Sequence, residues 1–160
     1  MLRKYETPYM ADWFAISLRW IMLVGLIVSL GLGGKLELSI SWPLGLLIAW
    51  NLVMTALAGL NVRMPYHRPI SMVADLVLAG SFFEVQGGLY GPAVWSGLLP
   101  ILTGCIYFEL PGALISSALF SILMIFSGMQ VEGDLPAAIF ASGVQVILAL
   151  MFGFLGQRMM

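Results

Sequence analysis

Long runs of apolar residues, separated by short polar stretches, restrict most strongly what this sequence can fold into. A helix needs about 20 such residues to cross the hydrocarbon core of a bilayer, and fewer where the bilayer is thin. Because lipid offers no hydrogen bonds to the backbone, each run is expected to be helical. We predict an all-α, polytopic membrane protein with one transmembrane helical domain, residues 1–160. Its six predicted spans cover residues 12–33, 43–60, 69–86, 93–108, 111–128 and 136–156.

The scarcity of charge supports this prediction. Hydrophobic residues make up 61% of the chain and charged residues only 9%, whereas about a quarter of an ordinary soluble domain is charged. The solvent for most of the chain, and its first partner, is therefore the lipid bilayer. A net charge of −1 gives no basic patch, so we expect no nucleic acid partner. Cys105 is the single cysteine and lies in an apolar run, where burial is its usual role.

The distribution of basic residues predicts the orientation of the helices, because cytoplasmic loops collect Lys and Arg. With the N-terminus inside, Lys35 is the single cation in the outer loops. An even number of spans then places both termini in the cytoplasm, as in a multi-pass protein of the inner (cytoplasmic) membrane. The cations of the inner segments are Arg3, Lys4, Arg63, Arg68 and Arg158.

Two charged residues, Arg19 and Asp75, lie well away from the ends of the predicted spans, where a charge is costly and is a candidate for a specific role. At 1.5 Å per residue, Arg19 lies about 10 Å and Asp75 about 9 Å from the cytoplasmic end of its helix. Matched depth and opposite sign predict an ion pair that joins the first and third helices. The alternative is that Arg19 extends to the headgroups by itself while Asp75 faces a wet interior.

The most distinctive stretch is FFEVQGGLYGPAVW, between the third and fourth spans. Its glycines can adopt backbone angles closed to other residues, and irregular backbone at membrane depth often lines a small-molecule pocket. Its aromatic residues offer flat apolar faces with a polar edge. The alternative is a plain tight turn with aromatic side chains at the membrane interface. The candidate ligand-binding residues of this glycine turn, as we call residues 87–95, are Gly87, Gly88, Tyr90, Gly91, Pro92 and Trp95.

The sequence shows no set of residues for catalysis or for a metal. His67 is the only histidine and falls in the predicted loop between the second and third spans, so it cannot supply the paired ligands of a b-type haem. No phosphate-binding glycine loop precedes a lysine, and no serine nucleophile has a histidine within reach. We therefore expect no catalytic residue, no metal site and no enzymatic activity.

Four stretches resemble the membrane input region of sensor histidine kinases, especially the redox-responsive RegB type. They are SLRWIMLVG, ADLVL, GGLYGP and LLPILTG, in this order along nearly the whole chain. The resemblance implies a sensory module of a two-component signal transduction system that forms a homodimer and responds to a quinone at the glycine turn. Gly87, Gly88 and Pro92 match the turn of that family, whereas Gly91 and Ala93 replace its usual asparagine and phenylalanine. Because the sequence ends at GQRMM, we expect no kinase domain in the chain as given.

Two other functions stay open. Small residues recur every four positions in the first helix, at Gly25, Ser29 and Gly33, and in the last, at Ala149 and Gly153. Such stripes let helices approach closely and would suit an accessory subunit packed against other membrane protein subunits of a respiratory or photosynthetic complex. Six spans in this length also suit the substrate-binding component of a vitamin transporter.

Overall fold

The computed structural model describes residues 3–32, 38–60, 62, 66–91, 93–130 and 134–159. Within these ranges the chain forms five α-helices and a 3₁₀ turn and contains no strand. The all-α prediction is therefore confirmed. The helices are α1 (Arg3–Leu32), α2 (Leu38–Gly59), α3 (His67–Val85), α4 (Leu98–Gln130) and α5 (Leu135–Met159), and the 3₁₀ turn is Gly88–Tyr90.

Four of the described helices are long and apolar enough to cross a membrane. The sequence predicted six spans. The number differs because α3 is not apolar enough and because two predicted spans are joined in α4. Within its 19 residues α3 carries Arg68, Asp75 and Glu84, which lowers its mean hydropathy. The apolar segments are Met10–Val28, Trp42–Gly59, Leu98–Gln130 and Leu135–Arg158.

The helix α4 is sharply reversed at Glu109, whose φ of 57° and ψ of −141° are not helical. The two arms, residues 98–108 and 110–130, lie against each other: a Cβ atom built on Gly112 would be 2.2 Å from the carbonyl oxygen of Gly104. Pro111 lies in the first turn of the second arm, where a missing N–H costs no hydrogen bond. The predicted spans 93–108 and 111–128 thus correspond to the two arms of one described helix.

The predicted fourth span, 93–108, does not start as an α-helix, because segment 93–97 forms turns. Its backbone forms hydrogen bonds to the third residue back, such as Ser96 N to Ala93 O at 2.9 Å and Leu98 N to Trp95 O at 3.0 Å. These bonds satisfy the amides in the tighter 3₁₀ manner. The Oγ of Ser96 also donates to the carbonyl oxygen of Ala79 in α3, at 2.9 Å, and so fixes the segment to that helix.

The described contacts divide the chain into two compact units, residues 1–67 and 68–160. In the first unit α1 packs on α2, and Trp20 Nε1 donates to Thr55 Oγ1 at 3.2 Å. Ile16 and Met54 are among its buried residues. The single transmembrane domain stays a prediction.

The second unit has two buried clusters, one between α3, α4 and α5 and the other between α4 and α5. In one, the rings of Phe83 and Phe120 meet edge to face, 5.7 Å apart. In the other, Cys105 is buried beside Ala149, and its thiol donates to the carbonyl oxygen of Phe152 at 3.0 Å. The predicted burial of Cys105 is confirmed.

The contact between the two arms of α4 leads to a stability prediction. We expect Gly112→Ala to destabilise the protein by about 1–3 kcal/mol, because the added methyl group meets the backbone of Gly104 and one arm must shift. Gly143→Ala in α5 is the matched control, since nothing lies within 4 Å of a Cβ there. It should be neutral or stabilising by up to about 1 kcal/mol. Thermal unfolding in detergent measures both, and equal midpoints would contradict the arm contact.

Candidate functional site

The glycine turn interrupts the helices between α3 and α4. Gly87 and Gly88 have φ angles of 92° and 63°, in the left-handed region that favours glycine. Gly91 is needed for a different reason: a Cβ there would lie 2.2 Å from the carbonyl oxygen of Gln86. Pro92 lies outside the described residues. The backbone is thus irregular where the sequence predicted it, while the ligand-binding role of these residues stays a prediction.

Tyr90 connects the glycine turn to the start of α5. Its hydroxyl donates to Oδ1 of Asp134 at 2.8 Å, and the carbonyl oxygen of Asp134 accepts the backbone N–H of Ala138 at 2.9 Å. The hydrogen bond from the Tyr90 hydroxyl to Asp134 is the main reason why the pKa of Tyr90 is raised above its ordinary value, and the negative charge of Asp134 is the second reason. Sequence reasoning missed this link, because the two residues are 44 positions apart.

The aromatic side chains of the turn are open. Tyr90 is 74% and Trp95 59% exposed, so each ring can contact a flat ligand or the lipid headgroups. Below them the turn is closely packed, since a Cβ on Gly88 would lie 3.1 Å from Ser127 Oγ. The arrangement therefore offers two exposed aromatic rings beside a closely packed turn, with one hydroxyl that a hydrogen-bonding ligand could share.

Arg19 and Asp75, the residues of the predicted ion pair, are both buried, at 1% and 0% exposure. Arg19 belongs to the first unit and Asp75 to the second. Burial of both is what a charged residue within a membrane requires, because exposure to lipid is far more costly. Their mutual contact would join the two units and stays a prediction.

His67 does not lie in a loop, as the sequence predicted, but is the first residue of α3. Its Nε2 lies 3.2 Å from Oδ1 of Asp12, which lies within α1 near the start of the apolar segment Met10–Val28. Both side chains are largely buried, at 24% and 17% exposure. The distribution of basic residues could have indicated this contact, since the topology predicted from it places both Asp12 and His67 on the cytoplasmic side.

The Asp12–His67 contact borders a cavity of about 40 Å³, which has room for about two or three water molecules. Apart from these two residues its wall is apolar. The other lining residues are Ile16, Met54, Leu57, Ala58 and Val62. In the part of the chain that the structure describes, no group of three or more His, Cys, Asp or Glu side chains could hold a metal ion.

Comparison with known proteins does not assign the chain to a family. No protein-family model, curated protein or solved structure matches it. The resemblance to RegB-type sensor regions therefore stays a prediction that depends on four short stretches of sequence.

The Tyr90–Asp134 hydrogen bond can be tested by titration. The neutral phenol donates to the carboxylate and the tyrosinate cannot, so Tyr90 should ionise at a higher pH than an ordinary tyrosine. We expect Asp134→Asn to lower the pKa of Tyr90, because the charge is removed. Ultraviolet absorbance of tyrosinate measures this, and subtracting the titration of Tyr90→Phe isolates the residue. An unchanged pKa in Asp134→Asn would contradict the contact.

Proposed function

We propose that the chain is a non-catalytic membrane sensory module, like the input region of a redox-sensing histidine kinase in a two-component system. It binds a quinone-like lipophilic ligand at the glycine turn. One observation supports this most directly: the hydrogen bond from Tyr90 to Asp134 joins the exposed aromatic side of the turn to the first residues of α5.

The helix α5 can carry a change at the turn across the membrane. Its 25 residues extend about 37 Å at 1.5 Å per residue, which exceeds the hydrocarbon thickness of about 30 Å. A ligand carbonyl that accepts the hydroxyl of Tyr90 competes with Asp134. The ligand thereby favours one packing of α5 over another and shifts their populations, and the effect appears at Arg158 in the last turn.

We also propose that the membrane arrangement has six segments: α1, α2, α3, the two arms of α4, and α5. Both termini are then in the cytoplasm, and the membrane is the inner one. Two contacts in the second unit support this arrangement. The guanidinium of Arg68 lies 5.9 Å from the ring centre of Tyr107, and a Cβ on Gly153 would lie 2.5 Å from Leu110. The start of α3, the reversal of α4 and the last part of α5, which includes Arg158, therefore share one end of the unit, where a positive-inside orientation requires the cations.

Ligand binding is tested by titrating a short-chain ubiquinone into the protein in lipid nanodiscs while tryptophan fluorescence is recorded. We expect saturable quenching. Tyr90→Phe should weaken binding about fivefold, the effect of one lost hydrogen bond of about 1 kcal/mol, and Trp95→Ala should weaken it further. Tyr66→Phe is the matched control, because Tyr66 is 80% exposed but lies in the first unit.

One result would refute quinone binding at the glycine turn: quenching that rises linearly with the quinone concentration and has the same slope in wild type, Tyr90→Phe and Trp95→Ala. Partition of quinone into lipid gives that pattern. Equal weakening in Tyr66→Phe would show that the glycine turn is not the site.

A second candidate, an accessory subunit of a membrane complex, is favoured by the open glycines. No described atom lies within 4 Å of a Cβ built on Gly25 or Gly143, so these positions can accept a helix of another subunit or of a second copy. The other predicted stripe is used within the chain, since Ala149 is buried and Gly153 meets Leu110. Purification from native membranes in mild detergent distinguishes the candidates: an accessory subunit brings its complex with it, and a sensor is recovered as a monomer or homodimer.

A further inference from the structure

The interior of the second unit contains polar side chains that the proposed function does not use. They are at most 8% exposed, and each has an oxygen atom with no hydrogen-bond partner among the described residues. Such groups are rare in native proteins, because burial without a partner costs free energy. They are Thr103, Ser116, Ser117, Ser121, Ser142 and Gln145.

Gln145 is the largest of these and lies near the middle of the membrane-spanning part of α5. It is ten residues beyond Leu135, about 15 Å along the helix. Its Nε2 would be 2.7 Å from a Cβ built on Gly97, and the ring of Phe120 approaches the same point. The amide therefore lies directly on the backbone of Gly97, while its Oε1 has no partner in the described part of the chain.

Two serines belong to the same region. Ser142 is three residues before Gln145 and so lies on the same face of α5. Ser121 is seven residues before Gly128, where a Cβ would lie 2.6 Å from Ala138 of α5. Gln145 is seven residues after Ala138. Since seven residues make about two helical turns, Ser121 and Gln145 lie on the facing sides of α4 and α5 at the same level. Their hydroxyls are buried, at 6% and 8% exposure, and each can both donate and accept a hydrogen bond.

The backbone next to Gln145 is also unusual. Gly97 ends segment 93–97, which is not helical, and its contact with Gln145 brings this segment to the level of the middle of α5. Irregular backbone at membrane depth is tolerated where protein encloses it or where it lines a site for water or a ligand. Irregular backbone and an unpartnered buried amide thus occur at one place.

We propose that Gln145, with Ser121 and Ser142, forms a buried site for an uncharged oxygen group that accepts and donates hydrogen bonds. Water or the hydroxyl or carbonyl head of a lipophilic ligand has this chemistry. A charged guest is disfavoured, because Gly97 and Phe120, which contact the amide, offer no counter-charge. The site is separate from the exposed rings of the glycine turn and does not depend on ligand binding there.

A double-mutant cycle tests whether a guest connects these side chains. We expect Gln145→Leu and Ser121→Ala each to lower the unfolding midpoint in detergent, and the double variant to lose less than the sum, because either change releases the same guest. Gln145→Leu combined with Ser81→Ala is the control and should be additive, since Ser81 donates to Val77 within its own helix. A higher midpoint in Gln145→Leu would overturn the proposal, because removing an amide that has no partner stabilises a protein.

Nuclear magnetic resonance of the protein in nanodiscs identifies the guest. The side-chain amide signal of Gln145, assigned by its loss in Gln145→Leu, should show a cross-peak to water. If a short-chain ubiquinone removes this cross-peak saturably, the guest is a ligand oxygen; if the cross-peak persists, the guest is water. Absence of both the cross-peak and any response to the quinone would overturn the proposal. Because the water result needs no quinone, failure of binding at Tyr90 leaves it intact.

Discussion

The need to hydrogen-bond every backbone amide without water governs this structure. In lipid that need is met most simply by helices, and helices make up nearly all of the described chain. Two departures besides the glycine turn meet the same need differently. Segment 93–97 uses hydrogen bonds to the third residue back, and the reversal at Glu109 is followed two residues later by Pro111, which has no N–H to satisfy. Irregular backbone therefore occurs where protein or a short turn supplies the missing partners.

Close approach of helices in the second unit depends on glycine. Gly104 and Gly112 bring the arms of α4 together, Gly97 admits the amide of Gln145, and Gly153 admits Leu110. Lipid tails are as apolar as leucine, so helix association relies on packing and hydrogen bonds rather than on burial from water. The small residues that face other parts of the chain thus hold the unit together, whereas Gly25 and Gly143 face none of the described atoms within 4 Å.

Polar contacts are divided between the ends of the helices and their interior. At helix ends, side chains from distant parts of the sequence meet: Tyr90 meets Asp134, and His67, the first residue of α3, meets Asp12 in α1. In the interior of the second unit the hydroxyl and amide groups around Gln145 are buried without such partners among the described residues. A pair at a helix end can be broken by a ligand at small cost, since water replaces the lost contact. A polar group in the interior requires a bound water or ligand oxygen that stays in place, because burial without a hydrogen-bond partner costs free energy.

The sequence by itself determined the class of the protein and the position of its main irregularity. Long apolar runs predict helices in lipid. Gly87 and Gly88 predict an irregular turn from the local sequence alone, because a left-handed backbone angle favours glycine wherever it occurs. Only the tertiary structure decided that α4 reverses at Glu109, that His67 faces Asp12, that Tyr90 reaches Asp134 and that Gln145 lies on Gly97. The three side-chain contacts join residues 44 to 55 positions apart, and the reversal depends on the backbone angles of one non-glycine residue, Glu109. Hydrophobic periodicity and residue spacing carry no information about which faces of two distant helices meet.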